Sequence, residues 1–160
     1  MRITEEQFLA KYPIYKKHYV KYDPNPKATK QTCDCVVRAF CKLLNAEWNK
    51  VYILLCRIGE KLYDMPNSPK VEKHLLKQLG FQEVTRQKGM PKWNCKELCE
   101  GSALNGNSFY CFQNGHVFAI EKGKAYDKNP FIFTSGVNKV WIKTKTTISR
   151  YKQLKSKYNI

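Results

Sequence analysis

Residues 31–44 read QTCDCVVRAFCKLL and predict a buried helix that begins at a cysteine. Apolar side chains recur at positions 36, 37, 39, 40, 43 and 44, a spacing typical of a helix packed in a core. Asp34 is a good N-cap, because its carboxylate can accept hydrogen bonds from the unpaired amides of the first turn. Cys35 then lies in that turn, where the helix dipole favours the thiolate and lowers the pKa of the thiol.

A candidate base for this cysteine follows a predicted turn. His116 comes directly after Asn114-Gly115, which separates two runs of aromatic and β-branched residues. This pattern predicts a hairpin with a type I′ turn, which requires positive φ at both central positions. Lys122-Gly123 predicts a second hairpin, which pairs residues 116–121 with the strand beginning at 124. A nucleophilic cysteine requires a base within reach, and His116 is the candidate.

The second hairpin also supplies candidates to orient the histidine. Counting pairs outward from its turn places Phe118 opposite Asp127 and His116 opposite Asn129. All four side chains share one face of the sheet, because side chains alternate along a strand. Asp127 or Asn129 could therefore accept the second ring proton of His116. A bulge in the turn would change the count, so the choice between the two stays open at this point.

The other cysteines offer weaker candidates. Cys33 is the rival nucleophile, but it precedes the predicted helix, where the dipole helps less. The pairs Cys33/Cys35 and Cys95/Cys99 have one and three intervening residues, and neither has the two-residue spacing of a zinc knuckle. We therefore expect neither a metal nor a cofactor.

The remaining pattern predicts an α+β fold, in which helices precede a strand meander. Helices are predicted at about 4–11, 35–45, 47–62, 69–79, 94–100 and 149–158, and strands at 81–85, in the two hairpins within 107–129, and at 138–143. Residues 21–32 are rich in Pro, Asn and Lys and predict an extended loop that leads to the cysteine. At 160 residues the chain fits one domain, residues 1–160.

Composition indicates the compartment and the class of partner. The chain has no signal peptide and no apolar stretch of about twenty residues, so we expect a soluble, cytoplasmic protein without membrane insertion. Several of the seven cysteines fall in apolar patterns, which favours a reducing compartment over a disulfide framework. The net charge of +16 favours attraction to anionic partners. Without a nucleic-acid-binding motif, we expect any binding of nucleic acid to be weak, non-specific and steeply salt-dependent.

Three motifs resemble those of the papain-like cysteine peptidase superfamily. They are Asp34-Cys35-Val36-Val37-Arg38-Ala39, Gly115-His116-Val117-Phe118-Ala119-Ile120 and Gly123-Lys124-Ala125-Tyr126-Asp127. The resemblance covers about residues 29–143 and is closest to small members carried by bacteria and their phages, and to the C39-type peptidases. It implies a single papain-like domain, in which N-terminal helices, including the cysteine-bearing helix, pack on a C-terminal antiparallel β-meander. The basic C-terminal helix at about 149–158 lies outside that core.

The resemblance also implies a role for each site residue. Cys35 would be the nucleophile, His116 the general base and acid, and Asp127 the residue that orients the imidazole. Gln31 would complete the oxyanion hole, although it lies closer to Cys35 than such glutamines usually do. The backbone amide of Cys35 could donate there as well.

The implied function is hydrolysis of an amide or peptide bond in a peptide or protein, in the cytoplasm, or the host cytoplasm if the chain is phage-encoded. Transglutaminases, arylamine acetyltransferases and amidases share the order Cys, His, Asp, so acyl transfer or deamidation is an alternative. A second alternative is a non-catalytic basic module that binds or inhibits a host protein or nucleic acid. The oligomeric state has no signature in the sequence.

Overall fold

The computed structural model describes residues 3–27 and 33–160. The described residues form seven α-helices, namely α1 (Glu5–Lys11), α2 (Pro13–Lys16), α3 (Cys35–Leu44), α4 (Trp48–Leu62), α5 (Pro69–Gln78), α6 (Cys95–Glu100) and α7 (Thr147–Tyr158). They also form six strands, β1 (Tyr19–Lys21), β2 (Gln82–Val84), β3 (Ser108–Gln113), β4 (His116–Glu121), β5 (Lys124–Asp127) and β6 (Lys139–Ile142), and a 3₁₀ helix at Pro130–Thr134. The predicted α+β class is confirmed. None of the described helices is both long and apolar enough to cross a membrane.

One mixed sheet, ordered β1-β5-β4-β3-β6-β2, contains all six strands. The two predicted hairpins form its centre, β3-β4-β5, and β6 and β2 extend it by antiparallel pairing. β1, an N-terminal strand outside the predicted C-terminal antiparallel meander, runs parallel to β5 at the edge and makes the sheet mixed. The sequence did not indicate β1, because three residues are too few to establish a period of two.

The sheet carries a hydrophobic cluster on each face. α3 packs across β3, β4 and β5, and its fully buried Phe40 and Leu43 join a cluster that also includes residues of α4, α5 and α7. The other face is covered by α6 and the 3₁₀ helix. Neighbouring residues of β3 divide between the two clusters: Tyr110 belongs to the first, and Phe109 and Cys111 to the second. This division follows from the alternation of side chains along a strand.

The two hairpin turns differ in backbone conformation. Lys122 and Gly123 have φ of 50° and 76°, which meets the type I′ requirement. In the first turn Gly115 has φ of 67°, but Asn114 is not among the residues with positive φ, so the type I′ prediction was wrong there. The Asn114 side chain instead accepts a hydrogen bond from Asn138 Nδ2 at 2.8 Å, which anchors the turn to the residue before β6.

Candidate active site

Cys35 is the first residue of α3 and is half-buried. Asp34 occupies the N-cap position, but its carboxylate makes no capping hydrogen bond, contrary to the prediction. It accepts instead from the guanidinium of Arg38 and from the indole Nε1 of Trp48, the latter at 2.9 Å. A charged donor makes a stronger hydrogen bond than a neutral amide, which explains the choice of partner. The Asp34 side chain therefore leaves the first-turn amides of α3 uncapped.

His116 and Asp127 face one another across two neighbouring strands. His116 begins β4 and Asp127 ends β5, and the observed pairs Glu121↔Lys124 and Ala119↔Tyr126 are those of the predicted register. His116 Nε2 lies 2.8 Å from Asp127 Oδ2. Since Nε2 is engaged there, Nδ1 is the ring nitrogen left for the hydrogen bond between His116 and the Cys35 thiol. Thiol, imidazole and carboxylate therefore form one chain of contacts.

The structure separates the two candidates for the residue beside His116. Asn129 lines a cavity together with His116, but its Oδ1 accepts the backbone N–H of Phe131 at 3.1 Å and caps the 3₁₀ helix. Asp127, 2% exposed, makes the contact to the ring. The rival nucleophile, Cys33, is exposed and lines the same cleft as Cys35. Gln31, the candidate for the oxyanion hole, lies outside the described residues.

The contacts favour a thiolate beside an imidazolium. Burial alone would raise the pKa of Cys35, but its hydrogen bonds with His116 and Val117 and the positive charges of His116 and Arg38 outweigh burial and lower that pKa. Burial likewise disfavours the charged ring, but hydrogen bonds to Asp127 and Cys35 outweigh it and raise the pKa of His116 to about 9. The two opposite pKa shifts favour an ionised nucleophile beside a protonated general acid.

Arg38 ties the histidine partner to the helix that carries the cysteine. Its Nη2 donates to Asp127 Oδ1 at 2.9 Å, while Nη1 donates to Asp34 Oδ1, and all three residues are buried. The Asp34 carboxylate also accepts from Asn25 Nδ2 at 3.2 Å, and Lys128 Nζ lies 3.7 Å from it. Sequence reasoning missed this role of Arg38. The signal was present, since an arginine interrupts an apolar helical run four residues after an aspartate, at ion-pair spacing.

Two cavities flank His116. The cavity on the thiol side has a volume of about 470 Å³ and includes Cys35, Val36, Glu72 and Val117 in its lining. The second, of about 460 Å³, is lined by residues that include Lys92, Asn129, Phe131 and Gly136. His116 and Gln113 line both cavities, so the imidazole lies between two spaces large enough for substrate groups. Gln113 is fixed there by donating to the carbonyls of Ile132 and Ser135, at 2.6 and 2.9 Å.

The later cysteine pair lies away from this site. Cys95 and Cys99 are buried on α6 in the hydrophobic cluster of the opposite face, together with Cys111. Burial raises the pKa of Cys95 and of Cys111, so these thiols resist ionisation. Within residues 3–27 and 33–160, no three His, Cys, Asp or Glu side chains are grouped so that they could hold a metal ion.

Comparisons with protein-family models, with curated proteins and with solved structures found no match to this chain.

The ionisation of the pair predicts how Cys35 reacts with pH. Because its pKa is lowered, we expect iodoacetamide to label Cys35 faster than the other six cysteines near neutral pH. The rate should level off below the value of about 8.5 typical of a free thiol. The labelling rate of Cys35 should rise at a higher pH in His116→Ala, because this change removes the cation that stabilises the thiolate. Peptide mapping by mass spectrometry over a pH series measures both effects.

His74→Ala is the matched control, because His74 lies on α5 and does not line either cavity. It should leave the labelling profile of Cys35 unchanged. A wild-type protein in which Cys35 is among the slowest labelled cysteines would contradict an activated thiolate.

Proposed function

We propose that this chain is a papain-like thiol hydrolase that cleaves an internal amide bond of a peptide or protein. The observation that carries the proposal is the chain of contacts from Cys35 through His116 to Asp127, set between two cavities. Neither residue type nor spacing alone would distinguish such a site from a buried structural cysteine. The lowered pKa of Cys35 and the raised pKa of His116 are the electrostatic properties that a thiol nucleophile and its acid require.

Acylation forms a bond from Cys35 Sγ to the substrate carbonyl carbon. The carbonyl oxygen becomes an oxyanion, and the first-turn amides of α3 are donors that can stabilise it. The carbon–nitrogen bond then breaks as the imidazolium of His116 donates its proton to the leaving amine. The products of this half-reaction are a thioester on Cys35, a free amine and a neutral imidazole.

Deacylation returns the site to its starting state. The neutral His116 takes a proton from water, and the resulting hydroxide equivalent attacks the thioester carbon. The carbon–sulfur bond breaks, releasing a carboxylic acid product and the Cys35 thiolate, with His116 protonated again. Asp127 fixes the orientation of the ring through both half-reactions and stabilises its positive charge.

The second cavity favours cleavage between residues over deamidation. The acyl part of the substrate becomes bonded to Cys35, so it must occupy the cavity that contains the thiol. The leaving amine must meet His116, which also lines the second cavity of about 460 Å³. A deamidase releases ammonia and has no use for such a space, whereas a peptide leaving group would fill it.

Digestion of a complex peptide mixture tests the proposal. A proteome-derived mixture incubated with the protein should yield new peptide termini, identified by mass spectrometry, that are absent with Cys35→Ala. Cys56→Ala is the control, because Cys56 lies on α4 outside both cavities. New termini that persist in Cys35→Ala, or products limited to deamidated side chains, would contradict cleavage of internal amide bonds by this thiol.

A further inference from the structure

Glu72 is a buried carboxyl group inside the cleft that holds Cys35. It lies on α5, is 4% exposed, and accepts a hydrogen bond from the hydroxyl of the fully buried Tyr110 on β3. No cation of the described residues lies within ion-pair distance of the Glu72 carboxyl group. Lys139 lines the same cleft but is paired with Glu83 at 3.2 Å. Burying a carboxyl group without a cation is costly, and the mechanism proposed above does not use it.

The walls beside Glu72 are largely apolar. They include Val36, Pro69, Phe112 and Val117, which line this cavity together with Glu72 and Cys35. The side chains of lysine and arginine combine a long aliphatic stem with a cationic end, and such stems pack well on apolar surfaces. Their cationic groups make the strongest hydrogen bonds with carboxylates, so a cleft of this composition suits a basic side chain better than an acidic or a short polar one.

We propose that Glu72, held by Tyr110, ends a subsite that selects a lysine or arginine side chain on the acyl side of the scissile bond. The inference rests on the proposed function, because the acyl part of the substrate is assigned to this cleft by its attachment to Cys35. Glu72 would contact the substrate side chain and not the reacting bond. It is therefore a specificity-determining residue of the same site.

The acid strength of Glu72 gives the selection a pH dependence. Burial raises the pKa of Glu72 to about 7, against the opposing influence of the Tyr110 hydrogen bond and the positive charge of Lys139. Below that value the group is neutral, and above it the group is a carboxylate, so preference for a cation should grow as pH rises through about 7. The other charged or titratable groups that line the cleft are Cys33, Cys35, His116 and Lys139. Ionisation of the Cys35 thiol changes the rates of two probes that share the same electrophile by the same factor, so it leaves their ratio unchanged.

A matched pair of covalent probes tests the subsite without a known substrate. The probes are dipeptidyl vinyl sulfones made in pairs, and the two members of a pair differ only in carrying a lysine or a norleucine. In one pair this residue stands directly before the electrophile, and in the other it stands one position earlier. Intact-protein mass spectrometry measures the alkylation of Cys35. At one of the two positions we expect the lysine probe to react at least about tenfold faster than the norleucine probe above neutral pH. Glu72→Gln should bring that ratio close to one, since the amide keeps the Tyr110 hydrogen bond and loses the charge.

Glu60→Gln removes the same charge from outside the cleft and should leave the ratio unchanged, because Glu60 lies on α4 and pairs with Arg57. If Glu72→Gln does not fold, the wild-type ratio still tests the inference, because it must rise through about pH 7. Equal rates for the two probes at both positions, with Cys35 selectively alkylated, would overturn the subsite and leave the hydrolase proposal standing. Failure of every probe and of iodoacetamide to select Cys35 would overturn both.

Discussion

Asp127→Asn should lower kcat/KM by about four orders of magnitude, as a wrong histidine tautomer does in a comparable triad. The Arg38 Nη2 donor, 2.9 Å from Oδ1, requires an acceptor, so the new amide must turn its oxygen to Arg38 and its NH₂ to His116. Nε2 must then accept a hydrogen bond, and the neutral ring carries its proton on Nδ1, toward the thiol. Such a ring cannot take the proton of Cys35 and does not hold the thiolate.

The measurement pairs the activity on a peptide found in the cleavage screen with the pH profile of Cys35 alkylation. A loss of activity caused by unfolding would leave no folded protein by circular dichroism, whereas a tautomer change leaves the fold and moves the alkylation profile to higher pH. Asn129→Ala is the control. It removes the cap on Phe131, with a cost of about 1 kcal/mol in stability, and should leave activity within a few-fold. The reverse ranking of the two variants would assign the orienting role to Asn129.

The choice between these residues shows how far sequence reasoning reached. Counting from the Lys122-Gly123 turn gave the observed register, because a two-residue loop with positive φ at both positions fixes the pairing of its strands. It could not decide between Asp127 and Asn129. That decision depends on where the chain leaves β5, and the 3₁₀ helix that captures the Asn129 side chain has no clear periodic signature.

The buried polar contacts were harder to predict for a related reason. Asp34 satisfied every local requirement of an N-cap, yet Arg38, Trp48 and Asn25 compete successfully for its carboxylate. Trp48 is on the next helix and Asn25 lies nine residues before Asp34, so neither contact follows from local spacing. The burial of Glu72 was unpredictable for the same reason. Its hydrogen-bond partner, Tyr110, is 38 residues away in the sequence.

Arg38→Met should destabilise the fold by about 3–5 kcal/mol, because removing one member of a buried ion network leaves its partners uncompensated. Asp34 and Asp127 are 4% and 2% exposed, and both would lose their guanidinium donor. For a domain of this size the loss corresponds to a decrease in Tm of roughly 10 °C. Urea denaturation followed by circular dichroism measures the free energy of unfolding directly.

Arg57→Met is the matched control, because Arg57 pairs with Glu60 at 3.6 Å on the exposed face of α4. Exposed pairs contribute little, so this change should stay within about 1 kcal/mol of the wild type. An Arg38→Met protein as stable as Arg57→Met would mean that Lys128, 3.7 Å from Asp34, replaces the guanidinium.

The pH dependence of the Arg38→Met effect separates lost charge pairing from lost packing. In the wild type, burial of Asp34 is outweighed by the charge of Arg38 and by hydrogen bonds, which lower its pKa. The stabilisation from that group is therefore complete above its unfolded pKa of about 3.9 and is lost as pH falls through the folded value. Without Arg38, the largest influence that lowers this pKa is lost, so the Asp34 carboxyl group takes up a proton more readily as pH falls. The difference in unfolding free energy between the two proteins should then shrink from neutral toward acidic pH, whereas a loss of packing alone would keep it constant.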